Sequence, residues 1–237
     1  MADANIMTNY FDDDFYRPPR PTTAGLMFPA RSKLTVRGFT FAKLPAEEHW
    51  RQIISASQGE RETCLLCLAM PDIWNLHDQP ETVSFVDHDG KLRSHRFDYL
   101  AEFRNGSRVA IAVKPMERAE KLNFRATLRA IERDLPQGFA DKVVLVTERQ
   151  RHRVEVQNAE LLNFFRRSPD DEADQVVLDL GRRLAGEMPI HQLIEKSGLG
   201  ARAFRAVFRA IYAGVFNAEK QERITPNTII SPRKETP

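Results

Sequence analysis

Cysteine is nearly missing from this chain: two residues in 237, Cys64 and Cys67, spaced CxxC inside CLLCLAM. A zinc site would need two further ligands, and there is neither a second CxxC nor a paired histidine cluster. Three-residue spacing on an apolar helix turns both thiols to the buried face, where free cysteine acts as a small hydrophobe. No apolar run reaches the roughly 18 residues a bilayer span needs, so no membrane partner is expected. The opening residues, MADANIMTNYFDDDFY, lack the basic start and apolar stretch of a secretory leader, which points to the cytoplasm. A phosphate-binding P-loop and a dinucleotide fingerprint are also missing.

What is there is an ordinary globular balance, 42% hydrophobic and 29% charged, with a net charge of only +2. The charge is unevenly spread. From Phe15 to Ala46 there are six basic residues (Arg17, Arg20, Arg31, Lys33, Arg37, Lys43) and no acid, and Ala201–Ala210 carries Arg202, Arg205 and Arg209 without an acid. Local basic stretches in a near-neutral chain suit contact with a polyanion such as DNA, and they equally suit a solvated surface. Arg31, Lys33, Arg37, Arg202, Arg205 and Arg209 are the candidate DNA contacts.

Pro18, Pro19, Pro21 and Pro29 break up the first 45 residues, which read as a basic arm (1–45). From Pro45 the pattern predicts a helix with Trp50, Ile53 and Ile54 on one side, then a second helix from about Glu60 to Ala69. Three strands are predicted next: Thr82–Val86, Leu92–Phe103 and Val109–Val113, with Asp-Gly and Asn-Gly turns between them. Pro115 opens a predicted helix to about Asp134, and Val143–Val146 follows as a buried strand. A helix between two such strands makes them parallel. A helix over Asn158–Arg167 precedes the acidic linker SPDDEAD (Ser168–Asp174). Beyond it, helices over Asp174–Leu184, Ile190–Lys196 and Ala201–Ala213, with a Gly-containing turn at 197–200, give a helix-turn-helix pattern, and 214–232 can form a two-stranded wing.

Two residues stand out chemically. Asp98 falls in the second predicted strand and Lys114 ends the third, where alternation puts Ala110, Ala112 and Lys114 on one face. Lysine is rarely buried without a partner, so a solvated strand end is the plain reading and an Asp98–Lys114 site the sharper one. His95 is a weaker candidate for phosphate contact.

Four segments in order carry a resemblance: Ser57-x-x-Glu60, MPDIWNLHDQP, HRFDYL and AVKP. Over about residues 33–147 the chain resembles the TnsA-type transposon endonucleases. The resemblance implies an α/β restriction-endonuclease-like domain (46–168), a mixed sheet flanked by helices, followed by a small α-helical winged helix-turn-helix domain (174–232). It implies catalytic Glu60, Asp98 and Lys114, with Mg²⁺ (or Mn²⁺) held by Glu60, Asp98 and the main-chain oxygen of Val113. It further implies DNA cleavage on one strand at transposon ends, with a partner transposase and an AAA+ ATPase regulator. Two carboxylates suit a hard cation, and a lysine beside them suits charge growing on a phosphoryl group. One position departs from the pattern: Ala112 stands where the family has Glu or Gln two residues before the lysine. That departure favours a second reading, a non-catalytic DNA-binding or assembly subunit that keeps the nuclease fold. A transcriptional regulator built on the helix-turn-helix is a third.

Overall fold

A computed structural model describes residues 18–24, 38–219 and 221–233. It begins with an antiparallel pair, β1 (Gly38–Ala42) and β2 (Arg51–Ser55), with Phe39 opposite Ile54. The helix expected through Trp50, Ile53 and Ile54 is not formed. Adjacent β-branched Ile53 and Ile54 fit a pleated strand, and the GFTFA segment, read as part of the arm, supplies the partner. Arg20 joins this strand's other edge, donating its N–H to Trp50 O at 2.7 Å.

Helix α1 (Gln58–Leu68) starts where Ser57 accepts the N–H of Glu60. Strand β3 (Ile73–Asp78), which the sequence pattern had not marked, follows. Then come β4 (Val83–Val86), β5 (Leu92–His95), β6 (Tyr99–Phe103) and β7 (Arg108–Val113). The single strand expected over Leu92–Phe103 is divided at 96–98. Its first part pairs only with β4, and its second lies between β3 and β7 in the main sheet. The helix expected from Pro115 is also divided, into α2 (Met116–Lys121) and α3 (Phe124–Arg133). Asn123, at a left-handed φ of 45°, separates them.

The main sheet runs β3-β6-β7-β8, with β8 at Lys142–Val146. β3, β6 and β7 are antiparallel neighbours, and β7 runs parallel to β8, the arrangement expected from the helical crossover. One face packs Leu76, Tyr99, Ala101 and Ile111 against Ile53 and against Cys64 and Leu68 of α1. The other packs Leu100, Ala110 and Ala112 against Phe124, Leu128 and Ile131, with Val83 and Phe85. The result is a mixed α/β fold with a mixed multistranded sheet between helices. Cys64 and Cys67 are free and buried in it, and burial pushes the Cys67 thiol up to about 12, so neither is poised for reaction.

Helix α4 (Arg153–Arg166) leads to α5 (Asp171–Arg182), whose N-cap is Asp170. The expected linker 168–174 is therefore mostly helix. Next come β9 (Met188–Pro189), α6 (Ile190–Ser197), α7 (Ala201–Tyr212), β10 (Phe216–Asn217) and β11 (Ile229–Pro232), the three strands forming a small sheet in the order β10-β11-β9. Gly198, at a φ of 68°, ends α6 and makes the turn into α7. The hydrophobic core does not stop at the link: Leu65, Val156, Ala159 and Leu162 pack in one cluster with Val177, Phe208 and Ile211. No helix among the described residues is long and apolar enough to cross a membrane.

Candidate active site

Asp98 occupies the break between β5 and β6, and three main-chain bonds fix it there. Its N–H donates to Ile111 O at 3.0 Å, its carbonyl accepts the N–H of Gln79 at 2.9 Å, and its Oδ2 accepts the N–H of Val113 at 2.6 Å. Glu60 comes from the first turn of α1 and is 9% exposed. Its Oε1 accepts the Ser57 hydroxyl at 2.9 Å and its Oε2 accepts the N–H of Ala56 at 2.7 Å. This is a capping arrangement that reaches one residue further back than the usual box. Lys114 follows β7 directly, its N–H held by Val146 O at 3.1 Å. Its Nζ stands 4.5 Å from the centroid of the Phe124 ring, a cation–π contact.

These three groups share one electrostatic neighbourhood. The Asp98 carboxyl is pushed up to about 7, first by burial and then by the negative charge of Glu60; the Val113 N–H and the Lys114 charge pull it the other way. His95 belongs to the same neighbourhood. Burial, and after it Lys114, lowers its imidazole to about 4. Its ring meets Phe97 edge-on at 4.8 Å and Phe124 at 5.6 Å, and Nε2 is buried with no hydrogen-bond partner.

The donor set for a cation is short. Among the described residues no group of three or more His, Cys, Asp and Glu could hold a metal ion. Ala112, where the resemblance leads one to expect a Glu or Gln, is buried beneath α3 and carries no donor. Glu102, four residues beyond Asp98, faces Arg108 and His77 instead. Two carboxylates remain, and Mg²⁺, which keeps several waters, is a cation commonly bound through only one or two. The mutual repulsion of Glu60 and Asp98 is the kind of strain a cation relieves. The Val113 N–H is turned to Asp98, and in a strand the C=O of the same residue projects from the same edge.

No protein-family model matches the chain, and no curated protein matches it.

The expected DNA contacts fare unevenly. Arg31, Lys33 and Arg37 lie outside the described residues. Arg202 is bound by Asp170 at 2.7 Å and Glu172 at 2.5 Å, and Arg209 by Asp174 at 2.6 Å. Arg205 makes no ion pair among the described residues and is half-buried. Helix α7 buries Ala203, Ala206, Val207, Phe208, Ala210 and Ile211 in the core. The acids of the supposed linker, once folded into the first turn of α5, are the partners of these arginines.

Phe124 and Val113 N–H escaped the sequence reading. Phe124 is one of many apolar helix residues, and a main-chain donor leaves no trace in composition. The Ser57-x-x-Glu60 spacing, by contrast, signals a helix cap directly.

Proposed function

We propose that this protein is a Mg²⁺-dependent DNA endonuclease of restriction-endonuclease-like fold, related to the TnsA-type transposon endonucleases, which nicks one strand at transposon ends beside a partner transposase. The observation that carries the reading is the setting of Asp98: its carboxylate accepts the Val113 N–H at 2.6 Å and feels the negative charge of Glu60 and the positive charge of Lys114, groups from three separate elements. Glu60 and Asp98 would hold the cation with Val113 O. A bound Mg²⁺ or Mn²⁺ would polarise the scissile phosphate and acidify its own water. Lys114, held over Phe124, would offer a positive charge to phosphoryl oxygens as they gather charge. The order helix, strand, helix, helix, strand, strand from α5 to β11 supports a winged-helix reading of the C-terminal unit. The sheet order and the parallel β7–β8 pair support the nuclease-like reading of the rest.

The test is nicking of transposon-end DNA by purified protein with Mg²⁺, alone and with its transposase. Metal-dependent nicking that Asp98→Ala removes is expected. Equal nicking by both proteins, free of contaminating nuclease, would take Asp98 out of the site. A second reading, a non-catalytic DNA-binding or assembly subunit, is favoured by Ala112 and by the two-carboxylate donor set. It predicts DNA or transposase binding with no cleavage under any metal.

A further inference from the structure

We propose that the cleft between the 43–50 turn and the last turns of α4 and α7 is a docking site for an acidic, aromatic segment of this same chain, residues 10–16. The cleft has a volume of about 490 Å³. That is the size of a small-ligand site, with room for a few side chains and not for a folded domain. The inference goes beyond the nuclease reading and does not rest on it.

Its floor is apolar. Leu44, Leu68 and Ile73 are buried there, Trp50 is half-buried, and Met70 is exposed at the rim. Its charges are all of one sign: Lys43, Arg104 and Arg166 line it, and no aspartate or glutamate does. None of these three makes an ion pair among the described residues. Lys43 and Arg104 are exposed, with the Arg104 guanidinium 5.6 Å from the centroid of the Trp74 ring, and Arg166 donates to Leu68 O at 2.5 Å. Of the acids nearest in sequence, Glu48 and Asp72 are outside the cleft wall and Glu47 is taken by Arg51. An apolar floor edged by unmatched cations fits a partner that sets aromatic side chains beside carboxylates.

The chain carries such a segment. Tyr10-Phe11-Asp12-Asp13-Asp14-Phe15-Tyr16 sets three carboxylates between two pairs of aromatic residues, and it lies outside the described residues. Arg20 decides for it over other occupants. This residue pairs in parallel with Arg51 on the outer edge of β2, donating its N–H to Trp50 O at 2.7 Å and accepting the N–H of Gln52 at 2.9 Å. Parallel pairing runs Pro19 and Pro18 back beside the residues that precede Arg51, toward the 43–50 turn and the cleft wall at Trp50. Tyr16 and Tyr10 are four and ten residues before Arg20. Such lengths of chain span at most about 13 and about 36 Å, so the tether is long enough. A tethered segment meets its site at about millimolar effective concentration, and modest contacts then suffice.

The experiment is paramagnetic relaxation on the full chain, with a nitroxide attached at Asn9→Cys; Cys64 and Cys67 are buried and escape labelling. The Met70 methyl and the Trp50 indole signals should broaden most, ahead of the methyls of Met116 and Met188, which are not in the cleft wall. Tethering alone brings the label near, so a charge swap decides. Lys43→Glu with Arg104→Glu should reduce the broadening at least threefold, and so should Asp12→Lys, Asp13→Lys and Asp14→Lys together. Both sets combined should restore it. Lys43 and Arg104 are exposed, so their replacement leaves the core intact, which a thermal melt checks. Broadening unchanged by either set, or lost and not restored in combination, would overturn the assignment. So would broadening seen only when nitroxide and observed methionine are on different chains, which gives the cleft to a second copy. Cleft signals that ignore the segment and shift with a single-stranded oligonucleotide would give it to nucleic acid instead. Cleavage is not part of the readout, so a negative result here leaves the nuclease reading where it stood.

Discussion

Around Asp98 two carboxylates and a lysine are held without cancelling one another; along α7 the arginines are cancelled almost one for one. Asp98 is raised to about 7 because water is largely excluded and, after that, because Glu60 lies near. In the C-terminal unit, Arg202 holds Asp170 well below the usual carboxylate range, and Arg209 closes on Asp174 and on Phe165 O. Fixed charges left in tension are poised to act on a ligand, whereas charges that answer each other hold helices together. Basic residues counted in the sequence do not distinguish the two cases. The local partner does.

The largest expected effect tests the unbalanced side. Asp98→Ala should lower Mg²⁺-dependent nicking by about a thousandfold, since metal-assisted charge stabilisation is worth several kcal/mol. DNA affinity should change little, because on the proposed reading the carboxylate holds the cation and not the duplex. Nicking assays and a binding isotherm on the same preparation check both halves.

The same tension should register in stability. Asp98 has a folded-state pKa of about 7 against 3.8 for the free group, so the folded protein keeps a proton that the unfolded chain releases. Stability from this source is whole below about 4 and is lost as the pH climbs through 7. The displacement corresponds to at most about 4 kcal/mol. His95 runs the opposite way: lowered from 6.5 to about 4, it favours the fold above 6.5 and ceases to do so as the pH falls toward 4. The quantity to read is therefore the difference between Asp98→Asn and wild type in urea midpoint. It should widen in favour of the variant from pH 5 to pH 8, and added Mg²⁺ should narrow it by stabilising wild type. A difference independent of pH would mean that Asp98 is not buried beside Glu60.

Much of this was readable beforehand, for identifiable reasons. The parallel β7–β8 pair follows from two β-branched runs flanking a helical stretch. The start of α1 follows from Ser57 and Glu60, and the turn between α6 and α7 from Gly198. The candidate residues were chosen by order and spacing of short motifs, with Asp98 assigned to the interior of one strand and Lys114 to the end of the next. What failed was context. RQIIS reads as half of an amphipathic helix until GFTFA pairs with it. IWNLHD looks like a loop after Pro71, because its alternation is imperfect and its bulge at Trp74 obscures it further. The break of the long strand at 96–98 puts Arg96 and Asp98 where they are, and nothing in HRFD announces it. Asp170, Glu172 and Asp174 read as linker acids, although an acidic run is also a good helix start.

On the balanced side the effects should be smaller. Asp174→Asn, which leaves Arg209 without its carboxylate, should cost about 2 kcal/mol, seen as a lower denaturation midpoint. DNA binding provides a separate reading of the same pairs. A free arginine on a phosphate contributes about one counterion to the salt slope, and a paired one contributes less. Arg205→Ala should therefore flatten the plot of log affinity against log salt more than Arg202→Ala or Arg209→Ala does. Equal flattening by all three would mean that the α5 pairs open on DNA. No change from any of them would make α7 a protein-docking helix.

The smallest expected effect is the most pointed, because it asks whether the unbalanced cluster is short of one ligand. Ala112 is 1% exposed, on the face of β7 that packs against α3, and alternation puts it on the same side as Lys114. A carboxylate added there would give the cation a third protein oxygen. Ala112→Glu should then tighten Mg²⁺ about tenfold, which is about 1.4 kcal/mol, and any nicking should saturate at lower metal concentration. In wild type, with few protein ligands, Mn²⁺ should support activity better than Mg²⁺, following the usual order of divalent affinity. The risk is steric: Leu100, Ala110 and Phe124 belong to the same packed cluster, and overpacking costs about 1–3 kcal/mol. A thermal melt separates the two effects, because a strained variant melts early without metal while a completed site gains stability when metal is added. A variant that melts like wild type and binds Mg²⁺ no more tightly by calorimetry would mean that Glu60 and Asp98 do not share a cation. The tension between them would then belong to an α/β fold that serves to bind DNA or a partner.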